Sequence, residues 1–370
     1  MKLAVIGANE PSIPFYKRAK ELGYTIIGIA YEKGAVCKEY CDKFHPISFA
    51  EKDEVLKVCK EEKIDGITSF SLESALPTVV YVAQNMGLVS NDYECLELTK
   101  NKFTQREAFN KAGLLVPKYC KTSKLKDINI NKLNFPIIVK PVDSGGSQGV
   151  IKLDDNNGLA EALSNATNIS RTGEAIIEEY IDGREFSVEY LSYKGVHHFI
   201  QITDKVTSGA PNFIEMQHHQ PANIGTEYVM KVKEIVEKAL TALKITNSPS
   251  HTEIKINSKG EFYIIEIGAR MGGDFITSDL VRLSTDYDMV KGAIEVATNT
   301  FKEPSISNKY FSGVYFYSEL APYVRDVIKN KNNYSEIVEC ELKDIPLPKA
   351  RSNADRAGYL LYKSDKKVIL

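Results

Sequence analysis

Residues 251–274, HTEIKINSKGEFYIIEIGARMGGD, constrain this chain more than any other stretch, because they read as one antiparallel hairpin whose register can be worked out. With Lys259-Gly260 as a two-residue turn, Glu253 and Glu266 become direct cross-strand neighbours. The alternation agrees with that register. Ile254, Ile256, Tyr263, Ile265 and Ile267 fall on one face, and His251, Glu253, Lys255, Glu266 and Arg270 fall on the other. Two carboxylates directly opposite each other, with Cβ atoms about 5 Å apart, repel and destabilise a sheet. A divalent cation between them reverses that sign. A small set of oxygen ligands suits Mg²⁺ or Mn²⁺, and Mg²⁺ completes its shell with water and substrate phosphates. The pair is therefore either the metal end of a nucleotide site or two glutamates on a solvated hairpin face.

Composition narrows the setting. The chain has 370 residues, 26% of them charged, which is enough for two or three packed domains. With 47 basic and 49 acidic residues the net charge is −2, so no global field points to a nucleic acid or an anionic membrane. The six cysteines are scattered, and Cys37 and Cys41 lack the second pair that a zinc site needs. Reduced thiols and a cytoplasmic protein are the expectation. No window offers about 18 uninterrupted apolar residues, and MKLAVIGANEP runs straight into a strand pattern, so neither a span nor a secretory leader is expected.

From residue 3 to about 90, short apolar strands (LAVIGA, TIIGIA, KFHPIS, IDGITSF) alternate with helical stretches at 11–22, 51–62 and 73–86. That spacing predicts a parallel, doubly wound α/β unit. Its first strand ends in GANEPS and lacks the GxGxxG of a dinucleotide fold. Ligands of such layers sit at the carboxyl ends of the strands, so Glu73, just after IDGITSF, either faces a site or supports a helix start. A helix over 99–112 carries Lys102. FPIIVKPV, VIKL, a helix near 156–165 and AIIEEYI then read as a small α+β lobe. From 185 the strands are longer and mostly antiparallel, with helices at 226–243 and 286–298 and further strands GVYFYSE and AGYLLYK.

Four further places carry candidate chemistry. Lys140 ends the strand IIVKP, immediately before a loop containing Gly145, Gly146 and Gly149. Glycines let backbone N–H groups approach phosphate oxygens that an ammonium neutralises, and no GxxxxGK[ST] is present, so this is not a P-loop. A lysine snorkelling at a strand end is the plainer alternative. In EEYIDGREFSVEY the strand breaks at Asp182-Gly183, which leaves backbone groups around Glu179–Ile181 for the edge of a purine, and Glu185 a few residues on for ribose hydroxyls. An ordinary hairpin turn would look the same. Arg270 offers a planar fork for a carboxylate or phosphate, and Gly272-Gly273 let main-chain N–H groups reach the same anion. In PNFIEMQHHQPANI, finally, Glu215 stands three residues before His218.

These pieces, in this order, resemble the ATP-grasp superfamily, whose members join a carboxylate to an amine through an acylphosphate and release ADP and phosphate. The resemblance covers about residues 1–300. It implies a fold of mixed α/β and α+β character: a Rossmann-like pre-domain at 1–98, an ATP-grasp small lobe with its linker helix at 99–183, and a large lobe with C-terminal strands at 184–370. Lys102 and Lys140 match the phosphate-binding lysines, with Gly145 and Gly146 in the loop over the phosphates. Glu178, Glu179, Tyr180 and Ile181 match the adenine hinge and Glu185 the ribose carboxylate. Glu253 and Glu266 match the metal ligands, and Arg270, beside Gly272 and Gly273, the acylphosphate contact. HTEIK…EIGARMGG looks most like the branch holding bacterial L-amino-acid ligases and carbamoyl-phosphate-synthase-like enzymes, where Glu215 and His218 would lie near the amino-acid substrate.

The family pattern places an asparagine two residues after the second glutamate, and this chain has Gly268. Water, substrate or His251 would have to replace that contact. The resemblance thus implies ATP and Mg²⁺ or Mn²⁺ as cofactors, small-molecule carboxylate and amine substrates, and dimerisation through the first domain as in many relatives. In that scheme His218 or Glu215 orients the amine or accepts its proton, and Glu73 and His251 border the substrate. The rivals are a nucleotide-binding protein that lost its chemistry, for which Gly268 is the hint, and a purine-pathway type of ligase that activates bicarbonate or formate.

Overall fold

The computed structural model describes residues 1–128 and 130–370 as three sheets with helices packed around them. The first sheet holds β1 (Lys2–Ile6), β2 (Thr25–Ile29), β3 (Lys43–His45) and β4 (Gly66–Ser69), all parallel, in the order β3-β2-β1-β4. The second holds β5 (Tyr119–Thr122), β6 (Ile137–Pro141), β7 (Ile151–Leu153) and β8 (Ala175–Glu179), in the order β5-β8-β6-β7. The third is an eight-stranded antiparallel sheet: β9 (Arg184–Tyr193), β10 (Val196–Thr207), β11 (Glu215–Gln220), β12 (Ser248–Ile256), β13 (Phe262–Gly268), β14 (Phe311–Tyr317), β15 (Ile337–Leu342) and β16 (Gly358–Ser364). The spatial order β13-β12-β9-β10-β11-β14-β16-β15 puts the hairpin at one edge.

The large sheet divides its two faces between packing and chemistry. Phe186, Val188 and Tyr190 of β9, with Ile254, Ile256, Ile264 and Ile267 of the hairpin, pack against the helix Thr226–Ala242. That helix buries Val232, Val236, Ala239 and Leu240, the i, i+4, i+7, i+8 stripe of an amphipathic helix. Each fully buried aliphatic side chain contributes on the order of 2 kcal/mol, so Val236→Asp is the single change most damaging to this contact. The opposite face of β9 carries Glu185, Ser187 and Glu189, two residues apart as a strand requires.

The parallel sheet is joined to the large one through a shared core. Leu3, Val5, Phe15, Tyr16 and Ile26 pack with Leu191, Met271, Val281 and the helix Met289–Ala297. Gly66 permits the closest approach, since a Cβ there would stand 2.5 Å from the Ala297 carbonyl oxygen. The two pieces therefore behave as one body, and β4 delivers Glu73 to the large sheet. Among the described residues, no helix is long and apolar enough to cross a membrane.

The hairpin keeps the expected glutamate pair by a different route. Its turn is the three-residue loop Ser258–Gly260, with Gly260 at φ +74° and Asn257 N–H donating to Glu261 O at 3.1 Å. That shifts the pairing next to the turn to Ile254↔Ile264 and Lys255↔Tyr263. A β-bulge at Ile265 then restores Glu253↔Glu266. Tyr263 and Ile265 consequently leave the core face assigned by strict alternation, and Ile264 takes their place in the core.

Candidate active site

Between the small lobe and the large sheet lies a cleft lined by both. Its phosphate end is built by Lys102, Lys140 and the Ser144–Ser147 loop. Lys102 opens the helix Lys102–Lys111, which is capped by Asn101 accepting from Thr104 N–H at 2.8 Å. The Lys102 ammonium donates to Ser144 O at 2.6 Å and to Glu266 Oε1 at 2.9 Å. Lys140 is buried in β6 and bonded to Glu178. Glu178 also accepts from Arg106, at 2.9 Å from Nε and 3.2 Å from Nη2. Burial works against the Glu178 carboxylate, yet Arg106 and Lys140 together pull its pKa down to about 2. Lys140 moves the other way from most paired lysines: burial, helped by the charges of Arg106 and Lys102, lowers it despite Glu178. One buried carboxylate thus serves two cations, leaving a positive surplus.

The purine end is narrower than the sequence suggested. Glu179 N–H donates to Lys118 O at 2.9 Å and Tyr180 N–H to Pro136 O at 2.8 Å, so neither is free. Among the described residues, Ile181 N–H has no protein acceptor, and it lines the cleft beside Glu179 and Tyr180. The Glu178 side chain serves Lys140 and Arg106 and does not face a base edge.

Opposite, the large sheet presents a row of ionic side chains. Lys255, Glu185, Lys205 and His218 are successive cross-strand neighbours on β12, β9, β10 and β11. Lys205 is the hub, with Nζ 2.9 Å from Glu185, 3.0 Å from Glu215 and 2.9 Å from Glu253. Burial disfavours its charge, but the three carboxylates raise its pKa well above the usual lysine value. The same lysine holds Glu253 and Glu215 well below the ordinary carboxylate range, against the cost of their burial. Glu253 and Glu266 are thus directly opposed on the sheet, and each is held by its own lysine. An oxygen-only pair of ionised carboxylates at the edge of a cleft fits Mg²⁺ or Mn²⁺.

A second group adjoins this wall without lining the cleft. His251 donates through Nδ1 to Glu189 at 2.5 Å, and its Nε2 is 3.9 Å from Glu253. Burial works against its charge, but Glu189 and Glu253 push it up to about 9. His251 therefore stands as a close neighbour of Glu253, tied through Nδ1 to Glu189 and with Nε2 turned towards the glutamate pair. Gly272 presses on this pair, since a Cβ there would lie 2.7 Å from His251 Nδ1 and 3.2 Å from both Glu189 oxygens. At Gly268 a Cβ would meet Arg270 side-chain atoms at 3.3–3.5 Å, so the arginine occupies the space an asparagine would need. Glu73 is partly buried here; burial and then the charge of Glu266 raise its pKa, while Arg270 and Lys102 oppose them. Gly273 faces Ser71 Oγ, 3.1 Å from its own Cβ position.

His218 is fully buried beneath Glu215 and reaches it through Nε2 at 3.1 Å. Glu215, His218 and Asp274 have ligand atoms within 4.8 Å of one another; Lys205 also bonds Glu215, and Arg356 is bidentate on Asp274 at 2.7 and 2.9 Å. Sequence reasoning missed Arg106, Glu189, Lys205 and Asp274. The i, i+4 step from Lys102 to Arg106 and the i, i+2 series Glu185–Ser187–Glu189 and Thr203–Lys205–Thr207 were the available signals.

Residues 133–279 match the family model described as an ATP-grasp domain. Alanine–anticapsin ligase of Bacillus subtilis (strain 168) is 27% identical over 245 residues, covering 60% of this chain and 51% of that protein. An L-arginine-specific L-amino acid ligase of Bacillus subtilis is 22% identical over 275 residues, 73% of this chain and 66% of that one. The chain spans about half the length of the first of these relatives. Among solved structures, an L-amino acid ligase from Bacillus licheniformis superposes with a TM-score of 0.82 at 24% identity, covering 99% of this chain and 93% of that one. N5-carboxyaminoimidazole synthetase from Staphylococcus aureus, complexed with ADP, gives 0.80 at 17% identity, with coverages of 99% and 93%. A Rossmann-like parallel sheet, a small antiparallel lobe and a large antiparallel sheet, with a cleft between the last two and a recognised domain over residues 133–279, make this a chain that carries an ATP-grasp domain on the ATP-grasp fold.

Proposed function

We propose that the protein is an ATP-dependent, ADP-forming ligase that joins a carboxylate, an amino acid, to an amine. The observation that carries this reading is the direct opposition of Glu253 and Glu266 in one cleft with Lys140 and with Lys102, which bonds Glu266 at 2.9 Å. Lys102, Lys140 and the Gly145–Gly146 backbone hold the polyphosphate, Ile181 N–H and the walls beside Glu179 and Tyr180 hold the base, and Glu185 takes the ribose. A divalent cation on Glu253 and Glu266 would supply charge neutralisation to the phosphates when bound. Positioning and charge stabilisation supply most of the catalysis in phosphoryl transfer, so the cleft needs little covalent chemistry of its own.

In the first step a substrate carboxylate oxygen bonds to the γ-phosphorus, and the bond to the β–γ bridging oxygen breaks and releases ADP. In the second the amine nitrogen bonds to the acyl carbon, the acyl C–O bond breaks, and phosphate leaves as the amine loses a proton. Arg270 and the Gly272-Gly273 amides hold the acylphosphate. Glu215 meets the amine. His218, buried beneath it, is a positioning residue for Glu215. The division into a pre-domain to residue 98, a small lobe to 183 and a large lobe beyond is part of the same proposal, as is action in the cytoplasm.

ADP release against a panel of L-amino acids, alone and in pairs with MgATP, tests the reading. Release that needs both a carboxylate and an amine supports it. Nucleotide binding with no release across the panel favours a protein that kept the grasp without the chemistry, the reading that Gly268 motivates. Release driven by bicarbonate without an amino acid favours a carboxylase or purine-pathway type of ligase that activates bicarbonate.

A further inference from the structure

A second and larger cleft, of about 600 Å³, lies between the parallel sheet's first helix Ile13–Glu21 and the far half of the large sheet. It meets the nucleotide cleft at one point. Asp274 lines the larger cleft, Glu215 lines the smaller, and their carboxylates come within 4.8 Å of each other. The chain turns there on two consecutive non-glycine residues in the left-handed region, Asp274 at φ +50° and Phe275 at φ +66°. Such conformations are strained and persist where the surroundings enforce them, often at ligand sites. Here the bend is enforced by Arg356, which grips Asp274 with both guanidinium nitrogens and stacks 3.8 Å over Phe316. Its result is that Phe275 stands half-buried in the larger cleft, 4.4 Å from the Tyr359 ring.

Resting on the ligase reading, we propose that this cleft is the seat of the amine substrate, and that the substrate is a primary amine bearing a large apolar or aromatic body. The ammonium lies at the Glu215–Asp274 junction and the body lies against Phe275 and Tyr359. Seven carboxylates and five cationic side chains line the cleft; the pairs Arg18–Asp288 and Arg356–Asp274 cancel, which leaves five carboxylates against three cations. That balance suits a cation and disfavours a second carboxylate. The cleft also exceeds the nucleotide cleft in volume, far beyond the needs of ammonia or glycine.

The chain has no tryptophan, so a tryptophan-based ligand can be followed by its own fluorescence. L-Tryptophan amide, an aromatic amine with no free carboxylate, is titrated against the full chain with MgADP present. Saturable binding that glycinamide at equal concentration does not displace is the expected result. Tyr359→Ala and Phe275→Leu should each weaken it ~tenfold, the loss expected for one aromatic contact, while Tyr359→Phe binds as the parent does and nucleotide affinity is unchanged in all three. A parent protein that binds MgADP but not the amide overturns this inference and leaves the ligase reading intact. Equal binding by Tyr359→Ala and Phe275→Leu also overturns it. Failure to bind nucleotide at all would instead sink the ligase reading.

Discussion

Lys140 and Lys205 are both buried lysines on strands facing the same cleft, yet their surroundings are opposite in sign. Lys140 shares the single carboxylate of Glu178 with Arg106, while Lys205 stands alone among Glu185, Glu215 and Glu253. Burial lowers the pKa of the first lysine, and three carboxylates raise that of the second. One wall of the cleft therefore holds an excess of positive charge and the other an excess of negative charge. A polyphosphate suits the first wall; a metal ion or an ammonium suits the second.

The largest effect that can break this comparison is on turnover. Glu266→Gln should lower ADP release by ~100-fold or more, as expected when a group that stabilises transferring phosphate is lost. A coupled assay for ADP checks it, and a near-normal rate would remove the negative wall from the chemistry. The lone pair of glutamates suggested that this change relieves repulsion in the metal-free protein. The structure removes that expectation, because Lys102 already neutralises Glu266 and Lys205 neutralises Glu253.

The next effect is on stability. Lys205→Ala takes the shared cation from three half-buried carboxylates and should cost ~3 kcal/mol, the scale for breaking a buried ion pair from one side. Mn²⁺ should then raise the melting temperature of the variant more than that of the parent. An unchanged melting temperature would show that Lys205 is not the counter-ion of this wall. Lys140→Ala sharpens the contrast, because Arg106 stays on Glu178. Nucleotide should bind ~tenfold more weakly, about the contribution of one charge-assisted contact, and the stability loss measured by denaturant should be smaller than for Lys205→Ala.

The smallest effect is the pH dependence. The Glu178 pKa is depressed from 4.5 to about 2 in the folded protein. The contribution of a depressed carboxylate to stability is complete above the unfolded value and is lost as pH falls through the folded one. Urea midpoints should therefore drop between about pH 4.5 and about pH 2, and Glu178→Gln should flatten that part of the curve. An acid limb identical in the variant would assign the loss to other groups.

How much of this was legible varied with sequence separation. The glutamate pair was readable because both strands lie in one hairpin, although the turn was one residue longer than supposed and the bulge at Ile265 restored the register. Tyr263 and Ile265 were misplaced for the same reason: period-two alternation cannot show a bulge. The strand–helix order of the first 90 residues agrees with the expectation, and Lys102, Lys140, Gly145 and Gly146 all line the cleft. Lys205 was invisible as a hub because its partners Glu185, Glu215 and Glu253 come from three other strands, and only the sheet order brings them together. Arg106 and Glu189 each sit at a helix or strand step from a residue that was noticed, but their partners Glu178 and His251 lie 72 and 62 residues away.

The account stands or falls on the cleft being a seat for metal and nucleotide together. Calorimetric titration of ATP into the protein with and without Mn²⁺ measures this most directly. The opposed walls predict that Mn²⁺ tightens ATP binding ~tenfold or more, that Glu253→Gln and Glu266→Gln abolish the tightening but spare metal-free binding, and that Lys140→Ala weakens both. ATP affinity indifferent to Mn²⁺ in the parent protein, or equal in all four proteins, would contradict it.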